Sequence, residues 1–261
     1  MAESSLLRLP REIRLMIYDN LLQIEGPIAI GNKPRAGAGP QRRSAYYAQE
    51  KRFNRGLYKT TYAIQDESRI DTGLFTVNRC LRYEYTSYLY GRHGFRFGDM
   101  EAVVPFLRDM SLSTLQLLQS ITIHKKRPLR SASDDTFWKL TCDFLRTAPP
   151  LRHLKVVLQG GQPRKEWDGP RNLTTSDLRL LYATRNECLQ WVRQLQNVQA
   201  TEIELAADIV PTLQPTTSEA LILAAFSGSI ETTLAEFMRT ELGMPVREGV
   251  RGGARVCGRI R

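Results

Sequence analysis

Three histidines, His93, His124 and His153, and four cysteines, Cys80, Cys142, Cys188 and Cys257, are the side chains of this 261-residue chain best suited to acid–base, nucleophilic or metal chemistry. Their spacing argues against each. The cysteines are widely separated, with no CxxC pair and no paired histidines nearby, so neither a zinc site nor a disulfide framework is indicated. They read as reduced thiols, three of them buried. None of the histidines sits with a Ser, Cys or Asp in a familiar catalytic motif, so the chain is expected not to be an enzyme and to need no cofactor or metal. His124 ends an apolar strand beside Lys125, Lys126 and Arg127, and His153 alternates with Leu154 so as to share a solvent face with Lys155. Ala36-Gly37-Ala38-Gly39-Pro40 lacks the Lys-Ser/Thr of a phosphate-binding loop. Lys125-Lys126-Arg127-Pro128 reads as a solvated loop in preference to a nuclear import signal, and Asn172-Leu173-Thr174 as a chance glycosylation match.

The chemistry that remains is binding, and it concentrates at the start of the chain, from Leu6 to Leu22. Pro10 has a fixed φ and no N–H, which suits a first helical turn, and Glu12 lies where the helix dipole favours an anion. A helix is expected to begin at Leu9 or Pro10. Ile13, Met16, Ile17 and Leu21 then follow a helical period that gathers them on one face, leaving Arg11, Arg14 and Asp19 solvated. Such a stripe serves either a core or a partner.

The run Leu6-Leu7-Arg8-Leu9-Pro10-Arg11-Glu12-Ile13-Arg14-Leu15-Met16-Ile17-Tyr18-Asp19-Asn20-Leu21-Leu22 resembles the opening of the F-box-like domains found in many fungal proteins of unknown function. Val77-Asn78-Arg79-Cys80-Leu81-Arg82-Tyr83-Glu84-Tyr85-Thr86-Ser87-Tyr88-Leu89-Tyr90-Gly91, followed by Phe95-Arg96-Phe97, is similar to the second motif of that family. Cys80 stands where the family usually has Gln, and the stretch from Gly26 to Gly73 is longer than a compact F-box requires. The resemblance implies that Leu9, Pro10, Ile13, Ile17 and Leu21 bind a Skp-type adaptor within a cullin ubiquitin ligase, while the rest of the chain recruits a protein substrate. Ligase chemistry would belong to other subunits.

The formal charge is +10, and its distribution matters more than its size. Between Gly31 and Thr60, eight cations face only Glu50, a net +7, and from Pro245 to Arg261 five arginines face only Glu248, a net +4. The remainder is close to neutral. Basicity is thus a property of expected loops, and Arg42, Arg43, Lys51 and Arg52 are candidate polyanion-binding residues. Tyr46, Tyr47, Phe53, Tyr58 and Tyr62 interleave with the charge, a mixture that stacks on bases or covers the domain surface. The alternative reading is therefore a nucleic-acid-associated protein using residues 31–60; weak nonspecific binding would arise from charge alone. A third is a structural interaction protein without ligase ties.

The hydrophobic content of 42% supports a core, no apolar run is long enough to span a bilayer, and the first residues lack a secretory layout. An intracellular protein of cytoplasm or nucleus, without membrane attachment, is expected. The coarse elements are a helix from Val77 to Tyr90 ended by Gly91, helices over 102–110, 112–118 and 134–147, one long helix over 176–195 and another over 218–242. Strands are expected at 95–97, 120–124, 151–158 and 200–206. Helices alternating with strands imply parallel pairing. The strand centres Ile121, Val156 and Ile203 are about 35 and about 47 residues apart, too irregular for leucine-rich repeats. The fold class is therefore α+β or α/β: a small helical F-box-like head over residues 1–98 with a basic flexible insertion at about 26–60. An irregular, degenerate repeat-like helix-strand layer follows over 99–244, then a disordered Arg-rich tail over 245–261.

Overall fold

The computed structural model describes residues 5–22, 24, 26–31, 42–43, 61–64, 78–126, 132–161, 173–186, 189–210 and 229–247. The chain is a mixed α/β protein built on one seven-stranded sheet in the order β2-β3-β1-β4-β5-β6-β7. The strands are β1 (Ile28–Gly31), β2 (Arg42–Arg43), β3 (Thr61–Ile64), β4 (Phe95–Phe97), β5 (Ser120–Lys126), β6 (Leu151–Gly161) and β7 (Ala200–Val210). Five of them, β1, β4, β5, β6 and β7, run parallel, with β3 antiparallel to β1 and β2 antiparallel to β3. The described helices are α1 (Arg11–Leu22), α2 (Arg79–Arg92), α3 (Val103–Arg108), α4 (Leu112–Leu115), α5 (Ala132–Thr147), α6 (Thr175–Ala183), α7 (Gln190–Leu195) and α8 (Ala235–Thr240).

Strand alternation sets the core. Register places Ile28, Phe95, Ile121, Leu154 and Ile203 in one row and Ile30, Phe97, Ile123, Val156 and Leu205 in the next, and all ten are buried. Trp138, Cys142 and Leu145 of α5 and Trp191, Val192 and Leu195 of α7 belong to the same cluster. The Trp138 indole N–H donates to the Trp191 carbonyl at 3.2 Å, and the rings meet edge to face at 6.2 Å. The other sheet face carries the register row Ala29, Arg96, Thr122, Lys155 and Glu204, buried at Ala29 and not at the other four. Tyr18, Leu22, Tyr85 and Leu89 of the two head helices join the core that holds Ile121 and Leu154. The sheet also runs unbroken across residues 98 and 99, because β4 pairs with β5.

Several expectations are corrected. The insertion is not a loop from its start: Ile28, Ala29 and Ile30 form a buried strand, since a short apolar run with β-branched residues suits a strand covered on both sides. Gly91 does not end α2, which continues to Arg92 and is closed by the His93 N–H donating to the Leu89 carbonyl at 3.2 Å. The long helix of 176–195 is two helices. α6 stops where Arg185 takes φ 54°, with its N–H donating to Tyr182 O at 3.2 Å and the Asn186 N–H to Leu181 O at 3.0 Å, a Schellman closure. The tail does not begin at Pro245: Val246 is buried in a parallel bridge to Ile203. Lys125, expected in solvent, is buried in β5 with its Nζ 5.2 Å from the Trp138 ring centre, because strand alternation aims it at the core. Residues 32–41 and 44–60, and the tail beyond 247, lie outside the described residues.

Candidate functional site

The helix pair α1 and α2 is joined by charge. Arg14 donates from Nε to Glu84 Oε2 at 2.8 Å and from a terminal nitrogen to Oε1 at 3.0 Å, a bidentate pair with both side chains mostly covered. Tyr18 O–H donates to the same carboxylate at 3.1 Å. One turn on, Tyr88 O–H donates to Asp19, which also holds Arg92 at 3.2 Å. The Arg14 hydrogen bond, reinforced by Tyr18 and Arg11 against the pull of burial, keeps the Glu84 carboxyl below its ordinary range. Burial, aided by the acceptor carboxylates, pushes the Tyr18 and Tyr88 phenols up to about 12. Burial lowers the His93 imidazole, with the Arg92 charge adding to the effect.

This arrangement decides which face of α1 turns inward, a choice the sequence left open. Arg14 and Tyr18 face α2, Leu22 is buried, and the apolar stripe faces outward. Leu9 is 36% exposed, Ile13 42% and Met16 60%, with Pro10 exposed and Ile17 and Leu21 half-buried. Of the five proposed partner-binding residues, three are therefore open to solvent and two flank them. Arg14, expected in solvent, becomes the internal clamp, and a second terminal nitrogen of it donates to Leu9 O at 2.5 Å, fixing the lead-in against the helix. Between α1 and α2 lies an open groove of about 580 Å³, lined in part by Arg11, Leu15, Cys80 and Tyr83.

The other candidates fall as follows. Arg42 and Arg43 form β2, paired with Tyr62 and Thr61, while Lys51 and Arg52 lie outside the described residues. Cys80 is exposed and Cys142 buried, its thiol pushed up to about 12 by burial; Cys188 and Cys257 lie outside the described residues. His153 is half-buried: its Nδ1 is 3.4 Å from Ser120 Oγ and its Nε2 3.2 Å from Glu204, which also meets Lys155 at 2.5 Å. Burial raises the Glu204 pKa, but Lys155 and then His153 outweigh it and the net shift is downward. The serine, histidine and carboxylate form a chain across β5, β6 and β7, and Ser120 does not line the groove between α1 and α2. Among the described residues no group of three His, Cys, Asp or Glu side chains could hold a metal ion, and no helix is long and apolar enough to cross a membrane.

A family model described as a domain of unknown function, DUF7730, matches residues 1–205. The chain belongs to that family. The matched span takes in the clamped helix pair and enters β7, so it holds both the outward apolar stripe and most of the sheet. No curated protein and no solved structure matches the chain.

Proposed function

We propose that this protein is an F-box-like protein-interaction module that docks a Skp-type adaptor of a cullin ubiquitin ligase through α1, and recruits a protein substrate through its α/β layer. The observation that carries the reading is the outward stripe of Leu9, Ile13 and Met16, with Leu9 O tied to Arg14. Apolar side chains held at fixed spacing on a rigid helix suit insertion into a partner's groove. The polar row Arg96, Thr122, Lys155 and Glu204, none of these four buried, offers a second surface for a substrate.

The test is co-purification of a recombinant Skp-type adaptor, with nuclease treatment, by the wild-type chain and by a Leu9→Ala, Pro10→Ala, Ile13→Ala variant. Retention by the wild type and loss by a variant that melts within a few degrees of it is the expected result. Absence of adaptor binding by the folded wild type, or binding that persists in the variant, overturns the reading. Recovery of nucleic acid alone from a parallel sample without nuclease, lost after charge reversal at Arg42, Arg43, Lys51 and Arg52, favours the polyanion function in its place.

A further inference from the structure

A second groove, of about 780 Å³, lies between α5, the turn that ends α6, and α7. Its size falls within the roughly 300–1,000 Å³ usual for ligand sites. Lys139, Arg146, Arg185 and Arg193 line it against one carboxylate, Asp143. Asp143 pairs with Arg146 at 3.4 Å. Lys139 and Arg185 form no ion pair among the described residues. Arg193 is held in place: its guanidinium lies 4.6 Å from the Tyr182 ring centre and donates to the Tyr182 carbonyl.

Arg185 adds an independent observation. Among the described residues three take positive φ: Gly26 at 88°, Gly243 at 64° and Arg185 at 54°. Glycine fills the first two, as backbone sterics favour. At the third, the closure of α6, a long cationic side chain occupies a left-handed position at a conformational cost, on the rim of a groove already rich in cations. Gln194 also lines the groove, with its Oε1 buried and without a hydrogen-bond donor. Base stacking has no platform here, since Tyr182 is already occupied by Arg193 and by the edge of Phe237 at 5.8 Å.

We propose that this groove binds an acidic peptide segment, its carboxylates meeting Arg185, Lys139 and Arg193. The groove shares no residue with the one between α1 and α2, and the proposal goes beyond the adaptor reading without depending on it.

The test uses the full chain and a fluorescein-labelled octapeptide of alternating glutamate and glycine, followed by anisotropy. Arg185→Gly is expected to keep or raise Tm, because the left-handed position then carries glycine, and to weaken peptide binding at least about tenfold, as loss of a charge-assisted contact would. Lys139→Glu is expected to weaken binding similarly with Tm unchanged. Charge reversal at Arg42, Arg43, Lys51 and Arg52 is expected to leave peptide affinity within about twofold. Unchanged affinity in Lys139→Glu and Arg185→Gly, or loss confined to the variant at Arg42, Arg43, Lys51 and Arg52, overturns the proposal. So does oligothymidylate of equal charge competing as well as the peptide through the same residues, which would make the groove a general polyanion site. If Arg185→Gly fails to fold, the strain argument falls and Lys139→Glu decides the rest.

Discussion

The two helix pairs of this protein distribute charge in opposite senses. Between α1 and α2 Arg14 is covered on Glu84 and Arg92 meets Asp19 at the exposed rim, and apolar Ile13 and Met16 are left outside. Between α5 and α7 the contact is apolar, Trp138 on Trp191, and the cations Lys139 and Arg193 are left lining a groove. The first joint adds a covered ion pair to the ring contact of Tyr18 with Tyr85, and the second is built on the two indoles. The first pair thus exposes an apolar stripe and the second a basic one, and neither surface is a defect of folding.

The comparison is most easily broken at its apolar joint. Trp138→Ala should cost about 3–5 kcal/mol, read by denaturant unfolding, because it removes a fully buried indole together with its hydrogen bond to the Trp191 carbonyl. At the charged joint, Glu84→Gln should cost about 1–3 kcal/mol, since it leaves Arg14 and Tyr18 partly unsatisfied in a mostly covered site. A loss larger than that of Trp138→Ala would reverse the ranking of the two joints.

The pH dependence sharpens the contrast. Glu84 has a depressed pKa in the fold, so its contribution is complete above the ordinary carboxylate range and is lost as pH falls through and below it. Tyr18 and Tyr88 are raised from 10.0 to about 12, so their contribution is complete below pH 10 and is lost as pH climbs between those values. Wild type should therefore lose stability at both ends, and Glu84→Gln should abolish the Glu84 part of the acid loss, measured as chemical-denaturation midpoints against pH. The smallest effect belongs to the surface: Ile13→Ser and Met16→Ser should each shift stability by less than about 0.5 kcal/mol. A cost of 2 kcal/mol or more, typical of a buried large-to-small change, would return the stripe to the core.

Alternation made the central strands legible: Ile121 and Ile123, or Leu154 and Val156, declare a strand and its buried side without help. Their parallel pairing followed from the helices between them. The orientation of α1 was not legible, because the apolar stripe and the stripe of Arg14, Tyr18 and Leu22 are both helical in period, and only the placement of Glu84 and Asp19 decides which turns inward. The break between α6 and α7 was hidden for a related reason. Helix ends announce themselves by glycine, and here an arginine takes the left-handed place. The basic groove was illegible altogether, since Lys139, Arg185 and Arg193 come from separate elements and meet only in three dimensions.

The bridge between Val246 and Ile203 has a consequence for solubility. β7 is the last strand of the sheet, and an exposed row of amides along such a strand is a template for another chain. Ile203 N–H donates to Pro245 O at 2.7 Å, Arg247 N–H to Ile203 O at 2.8 Å, and the Glu231 carboxylate accepts from Ala207 N–H at 2.8 Å. The segment after α8 thus acts as a selvedge, finishing the border of the sheet so that it does not fray into pairing with its neighbours. A chain cut before Met244 would keep its seven strands and yet present a raw margin, inviting self-association.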